Sequence, residues 1–209
     1  MKRHITLAVL VLFAAVPLLA QVPKGWMLRV DRSTSASDPD AEGPIKLVPM
    51  GPGLRATTPQ AAVLWNPANT AAGNYSLKGT FTLIKTTGYL EYYGLIFGGK
   101  DIEGAGQDYL YFVITDDGTW LVKRRSGTGT EELSPKTPSA ALKKPDASGM
   151  CTNALEVRVM ADKIVFVING TVVDTLPKTG QAAKTDGIFG MRINHHLEVQ
   201  VDGLGTSKL

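Results

Sequence analysis

The side chains of this sequence that could do chemistry are few and scattered. Beyond the first twenty residues the only histidines are His195 and His196, and as strand neighbours they point to opposite faces, so one metal ion cannot easily take both. Cys151 is the single cysteine, with no disulfide partner and no His and Asn companions in reading distance, so it reads as a small inert hydrophobe rather than a nucleophile. Glu198 and Asp202 lie four apart on one strand face, about 13 Å at ~3.3 Å per residue, too far for either spacing of a glycoside-cleaving carboxylate pair. Glu91, Asp101, Glu103 and Asp108 gather around the most apolar stretch, where solvated loops account for them. Asp38, Asp40 and Glu42 alternate but lack the Gly and distal Glu of a helix-loop-helix calcium site, and read as a solvated acidic loop. No HExxH, GxSxG or Cys-x-x-Cys set is present to support zinc or acyl-transfer chemistry. What remains is positive and polar: Lys123, Arg124 and Arg125 in a row, and Arg192 and Asn194 ahead of the histidines.

These groups must be positioned by strands. Tyr89 to Arg125 holds three apolar runs, YYGLIFGG, DYLYFVIT and TWLVKRR, cut by Gly and Asp clusters, as in an antiparallel meander. YLYFVI is apolar at every position, so both of its faces should be covered, and Asp116, Asp117 and Gly118 turn the chain back. Upstream, GWMLRVD is the only strand-like piece before Gly53. LRATT and AAVLW follow, broken at Pro59, and Asn66, Pro67, Asn69 and Gly73 form a turn-rich connection into NYSLKGTFTLI. Trp65 suits a core position, with a sugar-stacking platform as the alternative. Downstream, Ser126 to Thr152 reads as a long surface crossover, and NALEVRVM, IVFVI and TVVDTL form a second meander around the hairpin signal Asn169-Gly170. GIFGMRIN and LEVQVDGL close the chain, and no stretch keeps a helical period. The fold class is all-β, an antiparallel two-sheet sandwich. Its expected core includes Phe81, Leu95, Phe97, Phe112, Ile114, Val157, Val159, Phe166, Phe189 and Ile193.

Residues 1–20 have a basic head (Lys2, Arg3), an apolar stretch from Ile5 to Val16 and Pro17 ahead of Ala20, the pattern of a signal peptide cleaved after Ala20. The apolar run is shorter than the ~20 residues of a membrane span, so an exported domain over residues 21–209, free of the membrane after cleavage and periplasmic or extracellular, is expected. Losing Lys2 and Arg3 leaves 20 basic residues against 19 acidic, and the net charge falls from +3 to +1. A near-neutral body lacks the concentrated basic face that nucleic acid requires.

The motif order resembles a known group. The apolar meander (YGLIFGG, YLYFVITDDG, WLVKRRSG), N-x-L-x-V-x-V, a hairpin ending I-x-F-x-I-N-G, then G-I-x-G-x-R and L-E-V-x-V-D are similar to the concanavalin A-like lectin/glucanase jelly roll, nearest its exported bacterial laminin G-like and keto-glycoside-hydrolase-like branches. The likeness covers Tyr75 to Leu204 well and Trp26 to Trp65 loosely. It implies a two-sheet antiparallel jelly roll whose glycan or cell-envelope ligand lies on a concave face or its rim loops. Calcium is possible in such folds, but no loop here demands it, and no other cofactor is implied. The E-x-D-x-x-E pattern of the retaining glucanases of this fold is absent, so a non-catalytic binding module is favoured and a glycoside hydrolase or lyase is the alternative. If the meander and GIFGMRIN share the concave sheet, period 2 sends Phe189, Met191 and Ile193 inward and Arg192 and Asn194 into the groove. With Trp120 and Val122 in the core, Lys123 and Arg125 join them there beside Tyr111, and His195 or His196 is expected at the groove mouth. An anionic or hydroxyl-rich glycan is the expected ligand. The alternative is that these cations pair with Glu91, Asp101 or Asp108 and merely solvate the sheet.

Overall fold

The computed structural model describes residues 22–32, 36–37, 39–84 and 88–209. The leader and Asp38 lie outside the described residues. Among the described residues the chain forms fourteen strands, most of them from alternating or wholly apolar runs: β1 (Met27–Asp31), β2 (Lys46–Met50), β3 (Gly53–Thr58), β4 (Ala61–Ala71), β5 (Tyr75–Leu83), β6 (Tyr93–Lys100), β7 (Asp108–Ile114), β8 (Thr119–Ser126), β9 (Gly129–Pro138), β10 (Cys151–Val159), β11 (Lys163–Ile168), β12 (Thr171–Pro177), β13 (Gly187–Ile193) and β14 (Leu197–Lys208). A front sheet has the order β1-β4-β13-β6-β7-β8-β9 and a back sheet the order β12-β11-β10-β5-β14-β3-β2, with every pairing antiparallel. The Asn169-Gly170 turn joins β11 to β12 with φ values of 50° and 84°, the paired positive φ of a type I′ hairpin.

The sheets meet over one apolar core in which none of the ten residues expected from the sequence is more than 5% exposed. Phe166 of the back sheet packs between Phe112, at 5.1 Å, and Phe97, at 6.4 Å, of the front sheet. Cys151 is part of this core, with its Sγ 3.6 Å from the Tyr93 hydroxyl, and burial raises its thiol pKa, so it stays protonated and unreactive.

Three expectations are corrected. The crossover expected over Ser126 to Thr152 contains β9, and the polar N-terminal region contains β2. Both are sheet edges, exposed along much of their length and carrying Pro, so neither has the alternation that marks a half-buried strand. The connection expected at Asn66 to Gly73 is strand as far as Ala71, because the far half of β4 pairs with the start of β13 at Thr70 and Ala71. In the loop between β6 and β7, Asp101 and Glu103 are exposed as expected, while Ile102 between them is 2% exposed.

Candidate functional site

The wholly apolar β7 has two buried faces for a reason that concerns the site. Leu110, Phe112 and Ile114 enter the inter-sheet core, while Tyr109, Tyr111 and Val113 belong to a second apolar cluster on the outer face of the front sheet, with Val63, Trp65, Ile96, Ile102 and Leu121. Trp65, 2% exposed, is a core residue of that cluster and not a stacking platform. Gly190 lies in the same layer because a Cβ there would come within 2.4 Å of the Leu64 carbonyl oxygen and 3.0 Å of the Trp65 Cβ. The loop between β6 and β7 supplies Ile102 to the cluster, and Arg29 of β1 ties that loop down, donating from Nη1 to the carbonyls of Glu103 at 3.1 Å and Gly104 at 2.7 Å.

The remainder of this face carries charge. Arg192 on β13 donates from Nη1 to Asp31 Oδ2 at 2.5 Å and to the Tyr109 hydroxyl at 3.2 Å, with its guanidinium 5.6 Å from the Tyr111 ring centroid. Asp31 also meets Arg29 at 3.3 Å and Arg125 at 3.9 Å. Arg125 is on β8 and Asp31 on β1, with β4, β13, β6 and β7 between them. At ~4.8 Å per strand a flat sheet would separate those strands by roughly 24 Å, so the front sheet must curl strongly for the two side chains to meet. The outer face is therefore concave, and Asp31 sits where long cations from several strands converge. Burial works to raise the Asp31 carboxyl, but Arg192 above all, then Arg125 and Arg29, outweigh it and hold the pKa below the ordinary carboxylate value of 3.8. Burial pushes the Tyr111 hydroxyl up to about 12 against the pull of Arg192, so both partners of this contact keep their protons near neutrality.

Beside this cluster a cavity of about 120 Å³ opens, lined by Tyr92, Tyr111, Val113, Leu121, Lys123, Arg192 and Asn194. Lys123 reaches Glu132 of β9 at 3.6 Å. Two polar atoms on this face are shielded from solvent yet make no hydrogen bond within the protein: Asn194 Oδ1 and Arg125 Nε. Such orphans are costly unless something outside the protein satisfies them.

The structure thus gathers five of the sequence-derived candidates, Arg192, Asn194, Arg125, Tyr111 and Lys123, on one face. Their partners differ from those expected: Asp31 and Glu132 take the concave-face cations, while Asp108 pairs with Arg124, which occupies the opposite, inward phase of β8 and is 5% exposed. His195 is corrected. It continues the inward phase of Ile193 and is 5% exposed at one end of the sandwich, with Nδ1 3.0 Å from Asp40 Oδ1 and Nε2 2.7 Å from Glu91 Oε1, so it does not line the groove. Asp40 and Glu91, expected in solvated loops, are the groups that face it. His196, at φ 58°, turns outward and stacks on Tyr89 with centroids 4.6 Å apart. Sequence reasoning missed Asp31 and Tyr92. Asp31 ends the strand-like GWMLRVD, and its one signal is an acidic residue sharing a strand face with Arg29. The acidic pairs weighed for catalysis stay off this face: Glu198 is bound to Arg55 at 2.9 Å on the back sheet, and a Cβ at Gly53 would touch Asp202. A larger groove of about 350 Å³ lies over that region, between Glu42, Lys46, Thr57, His196 and Glu198. Among the described residues no group of His, Cys, Asp and Glu could hold a metal ion.

No family model matches the chain, and no curated protein matches it in sequence. In three dimensions it is similar to the carbohydrate binding module CBM66 from Bacillus subtilis, with a TM-score of 0.62 and 9% identity over 88% of this chain and 96% of that one. It is also similar to a protein of unknown function with a galectin-like fold from Bacillus subtilis, with a TM-score of 0.60 and 14% identity over 88% of this chain and 90% of that one. A Bacteroides ovatus mixed linkage glucan GH16, solved in complex with a G4G4G3G product, has a TM-score of 0.57 at 10% identity over 89% of this chain and 95% of that one. At these identities the likeness defines the fold alone, a two-sheet antiparallel jelly-roll sandwich.

Proposed function

We propose that the protein is an exported, non-catalytic carbohydrate-binding module that holds a sugar in the concave cavity between Tyr92, Tyr111, Lys123 and Asn194. The observation that carries this reading is the shielded, partnerless Asn194 Oδ1 on a residue that lines the cavity, beside the half-buried ring of Tyr92. A sugar hydroxyl can donate to this oxygen while its C–H face packs on the Tyr92 ring. The similarity in fold to a carbohydrate binding module and to a galectin-like domain supports the choice of ligand class.

Binding is favoured over bond cleavage because the one carboxylate at the centre of this face cannot act as an acid. Two-carboxylate glycoside hydrolysis needs a general acid whose pKa is raised, and the Asp31 pKa is lowered by three guanidiniums. On this reading the leader directs the protein out of the cytoplasm, to the periplasm or beyond, and intact mass of the exported chain is expected to begin at Gln21. A membrane-bound chain retaining Met1 would overturn that part.

Screening the mature protein on a glycan array, followed by product analysis of any bound glycan, separates binding from cleavage. Against the best-bound glycan, Tyr92→Ala and Asn194→Ala are each expected to weaken affinity by about tenfold or more, the scale of one lost ring contact or hydrogen bond. Their melting temperatures should stay near that of the parent, because Tyr92 is partly exposed and the Asn194 Oδ1 bonds nothing in the protein. Unchanged affinity in both variants would remove the concave cavity as the site.

A further inference from the structure

Resting on that reading, the concave face also specifies the charge of its ligand, and we propose that the cavity selects an acidic sugar unit, a uronate or a sugar sulfate, over a neutral one. The argument is a charge balance on one face. Arg29, Arg125 and Arg192 converge on a single carboxylate, Asp31, and Lys123 at the cavity wall meets a single carboxylate, Glu132. In these contacts four cations face two anions, and Lys136 near Tyr92 is balanced by Asp117 at 3.0 Å, so two positive charges stay unmatched where the whole chain after leader removal carries only +1. That excess is concentrated, not spread over the molecule.

The surplus also lies where it is felt. The side chains of Arg125 and Arg192 are 21% and 17% exposed, so solvent screens them less than it would a surface lysine. Lys123, at 29%, is the cation at the cavity edge held only by a long contact to Glu132, whose own side chain is 49% exposed. An exposed pair of this kind contributes little to stability, so Lys123 can turn to a ligand oxygen at small cost. The cavity wall explains why the anion should be borne on a sugar and not be free. Tyr92 and Tyr111 present rings, and Val113 and Leu121 give an apolar floor, surfaces that a bare inorganic anion cannot use. At about 120 Å³ the cavity suits a single acidic unit more than a long stretch of polymer.

Calorimetric titration of the mature protein with two matched probe pairs tests this: an oligogalacturonate against its methyl ester, and a sulfated galactan oligosaccharide against its desulfated form. At least one acidic probe should bind roughly tenfold or more tightly than its neutral counterpart, with affinity falling as salt rises. Lys123→Gln should weaken that acidic probe about tenfold more than it weakens the neutral counterpart, with the melting temperature near that of the parent. Which pair responds identifies carboxylate or sulfate as the recognised group. Equal affinity within both pairs, or Lys123→Gln affecting acidic and neutral probes alike, overturns the charge selection but leaves sugar binding in the cavity standing. Binding of neither acidic probe while the array yields a neutral glycan whose affinity depends on Tyr92 and Asn194 has the same meaning. If no glycan of any charge depends on those two residues, sugar binding at this cavity fails together with the charge selection.

Discussion

Asp31→Asn is expected to lower the free energy of unfolding at neutral pH by about 3–4 kcal/mol, near the range for removing one partner of a buried ion pair. The asparagine keeps the shape and one acceptor oxygen but leaves Arg29, Arg125 and Arg192 facing one another on a curled sheet without their shared anion. For a chain of this size that loss corresponds to a fall in Tm of roughly 6–15 °C. The effect has a pH signature. The folded Asp31 pKa is lowered below the 3.8 of the unfolded chain, so the native state holds this proton less tightly than the unfolded state does. Its contribution is complete above about pH 5 and is lost as pH falls through the ordinary value toward the lower folded one. Urea unfolding of parent and variant should therefore differ most near pH 6 and converge toward pH 3. A difference independent of pH over that interval would mean that Asp31 acts through packing and not through its charge.

Phe166→Ala is expected to cost about 3–5 kcal/mol, the range for deleting a buried ring. Phe166 is wholly buried and sits between Phe97 and Phe112, so its removal opens a cavity between the two sheets at their aromatic centre. Neither sheet can close that space without moving its own ladder: β11 is held between β10 and β12, and β7 between β6 and β8. Denaturant midpoints measure the loss, and a variant that unfolds with the parent would contradict the inward phase of IVFVI. Because Phe166 faces the core and Asp31 the concave surface, the two substitutions share no partner and their costs should add.

The sequence by itself determined the strands that are buried on at least one face, and their phase. Tyr75 to Leu83, the three central runs, NALEVRV, IVFVI and GIFGMRI declare themselves because burying one face of a pleated strand forces a period of two, and that period assigns Phe189, Met191 and Ile193 inward and Arg192 and Asn194 outward without any knowledge of the fold. It is also why Lys123 and Arg125 could be placed on one face and Arg124 on the other. Edge strands β2 and β9 escaped because an edge pairs on one side, tolerates Pro and buries little, so its sequence carries no period. His195 was misplaced because phase says which face a residue takes, whereas its burial depends on Asp40 and Glu91, which arrive from loops distant in the chain. Only the tertiary structure could decide the partner of Arg192. Asp31 is 161 residues away in sequence, and the two meet because the front sheet curls until side chains from β1, β8 and β13 share one hollow. Curvature is a collective property of twist accumulated over seven strands, so no local pattern records it, and with it comes the concentration of positive charge that distinguishes this face from the rest of a nearly neutral protein.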